Sequence, residues 1–413
     1  MNNQLNENKF EDEIMDNSTQ LKSTMDKHTG LPVYESFDTM QLNDNLCRGI
    51  YAYGFEKPSK IQQVAIMPMK GHNDIIAQSQ SGTGKTGAFV IGALTCVDVS
   101  IMAPQVIVLC PTRELAQQTG AVTTSIGHYL KINVLVATGG NQVRADTQAL
   151  KSGAQFIVGT PGRIYDLIRR GFLNLDNIQY IILDEADQLL EDLFAEQIKF
   201  ILKFKFPETA RMALFSATMP PAVIEVADTF LSDPVRVLIP TEEITLEGIK
   251  QFCVLLEREE WKYEVLMDLY QRLSINQAII YVNTRHNAEW LAKRMRDSSF
   301  TIECIHGEME VDERKRRMDD FRKGASRILI STDLLARGID IQQISIVINY
   351  EMPHQHENYI HRIGRSGRYG RRGIAINLIS QNEMRLKSEI EKYYSTVIND
   401  LPSDIETLSK EIC

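Results

Sequence analysis

The stretch Ser79-Gln80-Ser81-Gly82-Thr83-Gly84-Lys85-Thr86 decides the fold. It follows a short apolar run at 75–77 and precedes Gly87-Ala88-Phe89-Val90-Ile91, an order that predicts a strand, a glycine loop and a helix. The backbone N–H groups of such a loop and the dipole of the helix favour a bound phosphate. The pattern therefore predicts that Lys85 contacts the β- and γ-phosphates of a nucleotide and that Thr86 binds Mg²⁺.

A second stretch, Asp184-Glu185-Ala186-Asp187, supports this interpretation. Ser79 stands where the usual loop pattern has its first glycine, so a chance turn is an alternative for the loop taken alone. The acidic stretch, however, ends an apolar run at 180–183, and open α/β sheets bind ligands at the carboxyl ends of their strands. There Asp184 is predicted to hold the metal and Glu185 to orient an attacking water.

The size and composition of the chain predict two domains and no membrane segment. At 413 residues the chain is longer than the length that a single hydrophobic core usually supports. No apolar run approaches the ~18 residues that span a bilayer, and the N-terminus lacks the pattern of a secretory signal. The six cysteines are scattered without a Cys-x-x-Cys pair, which predicts reduced thiols in a cytoplasmic protein.

The net charge of −9 argues against nucleic-acid binding by bulk electrostatics but leaves room for a local basic groove. Positive charge is concentrated late in the chain, at Arg362, Arg365, Arg368, Arg371 and Arg372. A solvated surface run is the usual meaning of such clustering. The interleaved glycines favour a ligand site instead, because they let the backbone and guanidinium groups approach a ligand closely.

Short apolar runs alternate with amphipathic stretches, which predicts an α/β fold built of βαβ units around mostly parallel sheets. We expect strands at 75–77, 105–109, 155–158, 180–183, 212–215, 277–282, 327–330 and 344–348. This alternation of apolar runs and amphipathic stretches is interrupted once, by a polar stretch. We therefore predict a disordered tail at 1–32, a first domain at 33–237, a linker at 238–248 and a second domain at 249–413.

Further motifs follow in a fixed order: Gly54–Gln62, the phosphate loop, Pro111–Ala116, Gly139-Gly140, Thr160–Arg163, the acidic stretch, Ser216–Thr218, Ser331–Asp340 and His361–Arg368. In these motifs the chain resembles the DEAD-box ATP-dependent RNA helicases from about residue 33 to about 405. The resemblance implies two tandem RecA-like domains that bind ATP and Mg²⁺ and act on RNA.

Within this family, three stretches are similar to the subfamily of translation initiation factor 4A: 48–59, 245–252 and 333–340. This similarity implies a helicase that opens short RNA duplexes during translation initiation. A near relative that clamps spliced RNA shares much of these stretches, so an ATP-gated RNA clamp that serves as an assembly platform remains an alternative. A P-loop ATPase that acts on DNA or protein is a third possibility.

For the ATP site, the side chains of Phe55 and Gln62 suit a purine base. An amide offers both a donor and an acceptor to the edge of adenine, and an aromatic ring offers a stacking face. Taken alone, such residues are more often packing and surface residues. The resemblance implies that they select ATP, that residues 79–86 bind the phosphates, and that Asp340 contacts the ribose.

Arg365 and Arg368 lie three residues apart, so they would share one face if this stretch is helical. Two guanidinium groups at one γ-phosphate would act as arginine fingers, a role associated with ~10³–10⁵ in rate. Because they belong to the second domain and the phosphate loop to the first, catalysis would require the domains to close. The resemblance also implies that His361 links the domains near the γ-phosphate.

Ser216 and Thr218 carry hydroxyl groups at a predicted strand end, where such residues commonly cap a helix. The resemblance implies instead that they contact Asp187 and couple the nucleotide state to RNA binding.

The resemblance also implies an RNA surface on both domains. Its candidates are Pro111, Thr112, Arg113, Gly140, Thr160 and Arg163 in the first domain, and Asn283, Arg285, Gly307 and Thr332 in the second. Each alone could equally be a turn or cap residue. Backbone N–H groups at helix starts suit phosphates and read no bases, so we expect sequence-independent binding, with 2′-hydroxyl contacts selecting RNA.

The resemblance implies a scaffold protein of translation initiation as partner, and a chain that is monomeric on its own. One departure from the family pattern concerns Val311, where the family often has glutamine before a Lys-Glu-Arg sequence. An RNA or interdomain contact from this side chain is therefore not expected, whereas Arg314 is retained.

Overall fold

The computed structural model describes residues 25–26, 29–79, 82–190, 192–238, 249–273, 275, 277–333, 344, 346–366 and 373–402. Of the predicted functional residues, Gln80, Ser81, Asp340 and Arg368 lie outside these ranges. So do most of the predicted linker and residues 1–24 of the predicted tail.

The first domain is built on a parallel sheet of seven strands. They are β1 (Ile75–Gln78), β2 (Val106–Leu109), β3 (Val134–Ala137), β4 (Phe156–Gly159), β5 (Tyr180–Asp184), β6 (Arg211–Ser216) and β7 (Val235–Leu238). The strand order is β3-β4-β2-β5-β6-β1-β7. Its helices are α1 (Asp44–Tyr53), α2 (Lys60–Lys70), α3 (Lys85–Leu94), α4 (Arg113–Ile126), α5 (Val143–Lys151), α6 (Pro161–Arg169), α7 (Ala186–Leu189), α8 (Asp192–Leu202) and α9 (Pro221–Phe230).

The second domain repeats this plan with a second parallel sheet of seven strands. They are β8 (Ile249–Leu256), β9 (Ala278–Tyr281), β10 (Ile302–Ile305), β11 (Ile328–Ser331), β12 (Ile346–Asn349), β13 (Gly373–Ser380) and β14 (Asn399–Asp400). The order is β10-β11-β9-β12-β13-β8-β14, which is the first order with every strand number raised by seven. Its helices are α10 (Lys262–Arg272), α11 (Arg285–Asp297), α12 (Val311–Arg322), α13 (His356–Ile363) and α14 (Met384–Tyr393).

The central strands are buried on both faces, as parallel strands covered by helices must be. Every residue of β2, β4 and β5 is buried, and so is every residue of β9, β11 and β12. Separate apolar clusters fill the two faces of the first sheet. The predicted class, two tandem α/β domains with parallel sheets, is confirmed.

Equivalent helices begin in the same way in the two domains. Thr112 caps α4, its hydroxyl accepting a hydrogen bond from the backbone of Leu115 at 3.2 Å. Thr284 caps α11 in the same manner, accepting from Asn287. Both helices follow the second strand of their sheet, so these caps fix polar helix starts at equivalent carboxyl edges.

Described residues that precede the predicted first domain contact that domain. Met25 and Pro32 form an isolated antiparallel bridge, and Leu31 packs against the apolar core of the first domain. Contact with this domain therefore begins before the predicted boundary at residue 33. In the described part of the chain, no helix is long and apolar enough to cross a bilayer.

The buried carboxylate of Asp74 offers a test of the first domain. It accepts backbone hydrogen bonds from Met212 and from Ser232, each at 2.7 Å, and so ties β6 to the turn before β7. Because Asp74→Ala leaves two N–H groups without this acceptor, we expect it to lower the free energy of unfolding by about 3 kcal/mol in urea titrations. Asp228→Ala removes a mostly exposed ion pair, and we expect a change below about 1 kcal/mol. Equal effects of the two substitutions would contradict the prediction.

Candidate functional site

The phosphate loop connects β1 to α3 at the carboxyl edge of the first sheet. Ser79 donates its backbone N–H to the carbonyl oxygen of Ser216 at 3.0 Å, which joins the loop to the end of β6. Gly84 precedes α3 with a φ of 101°, a left-handed conformation that favours glycine. The loop therefore delivers Lys85 to the first position of the helix, as the sequence predicts.

Lys85, Asp184 and Glu185 are brought together beneath this loop, and each is at least 95% buried. The Nζ atom of Lys85 lies 3.4 Å from Oε2 of Glu185, and the backbone N–H of Glu185 donates to Oδ1 of Asp184 at 3.0 Å. Glu185 has a φ of 52°, which is unusual for a residue other than glycine. Such strain at the end of a buried strand is typical of functional sites.

The two adjacent carboxyl groups have opposite pKa shifts. Burial and the charge of Glu185 raise the pKa of Asp184 to about 7. Burial also opposes ionisation of Glu185, but the nearby charges of Lys85 and His361 outweigh it and lower the pKa of Glu185. In the protein without ligand, Glu185 is therefore the carboxylate that ionises more readily, whereas Asp184 is only partly ionised at neutral pH.

A cleft of about 600 Å³ extends from the phosphate loop to the predicted base-binding residues. It is lined by Phe55, Gln62, Gly82, Thr83, Gly84, Lys85, Thr86, Asp184, Glu185 and Arg365, among others. Gln62 is almost fully buried and is held from two sides. Its Oε1 accepts from the backbone of Ser59 at 2.9 Å and its Nε2 donates to the carbonyl oxygen of Gly84 at 3.2 Å. Phe55 packs on Phe37, with ring centroids 6.5 Å apart.

The second domain reaches this cleft through the end of α13. Nε2 of His361 lies 3.1 Å from Oδ2 of Asp187, and both side chains are almost completely buried. Arg365 also lines the cleft, with its Nε donating to the carbonyl oxygen of His361 at 3.2 Å. Because α13 ends at Ile363, Arg365 lies beyond the helix, and the condition for a helical face shared with Arg368 is not met at this residue. Its place is instead fixed by the turn that follows the helix.

Asp187 also carries the contacts predicted for Ser216 and Thr218. The hydroxyl of Thr218 donates to Oδ2 of Asp187 at 2.7 Å. The hydroxyl oxygen of Ser216 accepts from the backbone of Asp187 at 3.2 Å. One carboxylate oxygen of Asp187 therefore contacts both the segment after β6 and the second domain.

The residues predicted to bind Mg²⁺, Thr86 and Asp184, line the same cleft. A hydroxyl and a carboxylate are hard oxygen ligands, the type that Mg²⁺ prefers, so the donor set fits this ion. Among the described residues, the ligand atoms of Glu185, Asp187 and His361 also lie within 4.8 Å of one another. We interpret that group as an interdomain hydrogen bond beside an ionised carboxylate, since His361 and Asp187 already contact each other directly.

An ion pair that sequence analysis missed also joins the two domains. Nε of Arg314, on α12, lies 2.8 Å from Oε1 of Glu114, on α4, and the side chains are 9% and 19% exposed. Glu114 belongs to the motif Pro111–Ala116, and Arg314 follows the unusual Val311. Both motifs are recognisable in the sequence, but nothing in the residue pattern indicates that the side chains of Glu114 and Arg314 contact each other.

The RNA candidates of the first domain lie along the carboxyl edge of its sheet. Thr112 and Thr160 are the residues that precede α4 and α6. Arg113 is half-buried, and within the described residues its Nη1 has no hydrogen-bond partner. Arg163, in contrast, is held in a buried ion pair with Asp146. The remaining candidates are Pro111, which is buried, and Gly140, which is exposed.

The RNA candidates of the second domain occupy the equivalent edge. Arg285 begins α11 and is exposed, as is Gly307 after β10, while Thr332 follows β11. Asn283 is used within the domain, because its Oδ1 accepts from the buried Arg362 at 2.7 Å and its Nδ2 donates to the carbonyl oxygen of Met352. Asn283 thus has a supporting role in this structure, and RNA contact by these four residues stays a prediction.

The sequence pattern of DEAD/DEAH box helicases matches residues 59–226, and that of the helicase conserved C-terminal domain matches residues 261–370. The chain belongs to the DEAD/DEAH box helicase family. It is 49% identical to the ATP-dependent RNA helicase eIF4A of Coccidioides immitis, over 96% of this chain and 98% of that protein. The predicted family and the prediction of an ATP-dependent RNA helicase are confirmed.

Solved structures share the two-domain fold of this chain. Yeast Dbp5 bound to RNA and ADP BeF3 matches 92% of this chain and all of its own, with 37% identity and a TM-score of 0.85. A variant of the same yeast protein bound to two other proteins, IP6 and ADP is 35% identical, covers 90% of this chain and has a TM-score of 0.63. The TM-score is thus higher against the structure that contains RNA than against the other.

The raised pKa of Asp184 predicts a pH dependence of stability in the protein without nucleotide. An aspartate titrates near 3.9 in an unfolded chain, so between about pH 4 and about pH 7 the folded state holds a proton that the unfolded state releases. Stability from this group is therefore lost as the pH rises through that range. We expect the free energy of unfolding of the wild type, relative to Asp184→Asn, to fall from pH 4.5 to pH 7.5 in urea titrations. A constant difference would contradict the prediction.

The ion pair between Glu114 and Arg314 predicts coupling between the domains. Glu114→Gln and Arg314→Gln should each raise the RNA concentration that half-maximally stimulates ATP hydrolysis, because each weakens the closed arrangement. In the double variant the two effects should fall short of additivity, with a coupling energy of about 1–3 kcal/mol. Strict additivity would mean that the two residues do not pair in the working state.

Proposed function

We propose that this helicase hydrolyses ATP in the cleft between its domains and uses the cycle to open short RNA duplexes in translation initiation. One observation carries the proposal: His361 and Arg365 of the second domain lie at the cleft that holds the phosphate loop of the first. A nucleotide bound there would touch both domains. Its binding would therefore favour the closed arrangement over the open one.

The predicted catalytic residues have distinct roles in this hydrolysis. Lys85 binds the β- and γ-phosphates, and Glu185, which stays ionised, orients the attacking water. Thr86 and Asp184 would hold Mg²⁺, which supplies positive charge opposite the phosphates. Arg365 and Arg368 would stabilise the charge that develops on the γ-phosphate.

Base selection is assigned to the opposite end of the cleft. Gln62 is held by Ser59 and Gly84, yet its amide retains one N–H and one lone pair for the edge of adenine. Phe55, supported by Phe37, offers its ring to the base. Asp340 is proposed to contact the ribose.

RNA is proposed to cross both domains along the aligned carboxyl edges of the two sheets. In the first domain, Thr112 and Thr160 stand at helix starts whose backbone N–H groups suit phosphates. In the second domain, Arg285 and Gly307 are exposed. Such contacts read the backbone, so binding should be independent of sequence.

Asp187 is proposed to couple the two ligands. It contacts His361 across the cleft and Thr218 and Ser216 within the first domain. Domain closure on ATP would form the His361 contact and complete the RNA surface at the same time. An RNA strand bound by the closed form would separate from its complementary strand. Hydrolysis of ATP would then restore the open form.

A relative from Arabidopsis thaliana, 50% identical over 91% of this chain, is named eukaryotic initiation factor 4A-1, which favours an initiation factor over an RNA clamp. We further propose that the protein acts in the cytoplasm, binds a scaffold protein of translation initiation, and is a monomer on its own.

The proposal is tested by ATP hydrolysis with and without single-stranded RNA. We expect RNA to stimulate the wild type, and Glu185→Gln to lose at least about 100-fold in kcat, because the group that orients the water is gone. Glu185→Gln should still bind ATP and RNA together, as measured by fluorescence anisotropy with labelled RNA.

Glu208→Gln serves as the control, since this residue lies before β6, at the edge of the sheet away from the cleft. It should hydrolyse ATP like the wild type. Hydrolysis that does not respond to RNA, or full activity in Glu185→Gln, would refute the mechanism. Stimulation by RNA together with negligible duplex opening would favour the clamp.

A further inference from the structure

Arg285 is the exposed arginine at the start of α11, and two carboxylates hold different nitrogen atoms of its guanidinium group. Its Nε donates to Oε1 of Glu289 at 2.9 Å. Its Nη1 donates to Oε2 of Glu308. The guanidinium group of a proposed phosphate ligand is therefore already occupied by acidic side chains.

The two carboxylates differ in how firmly they are held. Glu289 lies one turn along the same helix as Arg285, and its Oε1 is also 3.2 Å from Nε2 of the buried His306. Glu308 lies in the turn after β10, and its side chain is 71% exposed. Glu289, whose side chain is 49% exposed, is thus held by both Arg285 and His306, whereas Glu308, which is more exposed, reaches Arg285 from a turn.

The surroundings of Glu308 leave room for an exchange. Its neighbour Gly307 is exposed, and a Cβ atom placed there would meet no atom within 4 Å. A side chain as exposed as Glu308 gains little from an ion pair, because water screens the attraction and the pairing restricts its rotamers. A phosphate could therefore take its place on Arg285 at small cost.

The first domain supplies a contrast. Arg163 also pairs with a carboxylate, that of Asp146, but these side chains are only 9% and 4% exposed. Removing one partner of a buried pair leaves a buried charge and is strongly destabilising. Asp146 is therefore a fixed structural partner of Arg163, and the exchangeable pair is the one on the second domain.

We propose that Glu308 determines RNA affinity by competing with an RNA phosphate for Nη1 of Arg285. In the absence of RNA the carboxylate occupies the phosphate position, and it swings into solvent when RNA binds. When RNA leaves, Glu308 replaces the departing phosphate, which favours release at the end of a cycle. This inference rests on the proposed RNA surface, since it assigns a phosphate to Arg285.

The test compares the RNA affinity of Glu308→Gln with that of the wild type. Labelled single-stranded polyuridine is titrated by fluorescence anisotropy with a non-hydrolysable ATP analogue, from low to high KCl. We expect Glu308→Gln to bind RNA about two- to fivefold more tightly at low salt, with the gain shrinking as salt screens the competing charge. In ATP hydrolysis, the RNA concentration for half-maximal stimulation should fall by a similar factor.

Three controls separate competition from other causes. Glu208→Gln removes the same charge far from the site and should leave RNA affinity unchanged, which excludes a bulk-charge effect. Arg285→Gln should weaken binding, and adding Glu308→Gln to it should give no gain, because the competitor then has no target. Glu289→Gln should not tighten binding, since this residue orients Arg285 and does not compete.

The outcomes distinguish this inference from the proposed function. Unchanged or weaker binding in Glu308→Gln, while Arg285→Gln binds RNA poorly, would overturn the competition and leave the RNA surface intact. An equal gain in Glu308→Gln with and without Arg285 would also overturn it. Unchanged RNA affinity in Arg285→Gln would overturn both the competition and the RNA assignment of that residue.

Discussion

The hydrogen bond between His361 and Asp187 is the contact on which the functional arrangement depends. It joins residues 174 positions apart in the sequence, at 3.1 Å, in a site that excludes water. The same oxygen of Asp187 accepts from Thr218, so the interdomain contact is anchored in the first sheet. The turn that follows α13 places Arg365 at the cleft, whose other lining residues belong to the first domain. The first domain therefore forms most of the cleft, and the second domain adds Arg365 to it.

Three buried carboxyl groups, those of Asp184, Glu185 and Asp187, are crowded at one strand end. Such crowding destabilises the ligand-free protein, because burial opposes ionisation and neighbouring charges repel. The charges of Lys85 and His361 oppose this effect at Glu185 and lower the pKa of its carboxyl group, which lines the cleft. The site thus favours binding of a cation and a nucleotide, since the cation would reduce the repulsion between the buried carboxylates.

The acidic composition of the chain fits an RNA surface that both domains form together and that carries little positive charge. With a net charge of −9, the protein gains little from unspecific attraction to RNA. Two of the candidate arginines, Arg163 and Arg285, are paired with carboxylates in this structure. Backbone N–H groups at the helix starts after Thr112 and Thr160 therefore carry more of the proposed grip than free arginines do. A surface of this kind releases RNA readily when the domains part.

The sequence by itself determined the class of fold, the phosphate loop and the order of the motifs. Each central strand is an apolar run, because a parallel strand covered on both faces must be apolar throughout, and a local pattern reports such burial directly. Outer strands such as β3 and β7 alternate in burial or are partly exposed, and the pattern did not reveal them. It also did not reveal β13, although every residue of that strand is buried. Only the tertiary structure decided that α13 ends before Arg365, that Glu114 meets Arg314, and that carboxylates occupy Arg163 and Arg285. The physical reason is that these contacts join distant segments, so they depend on how sheets and domains pack and leave no periodic trace in the residues.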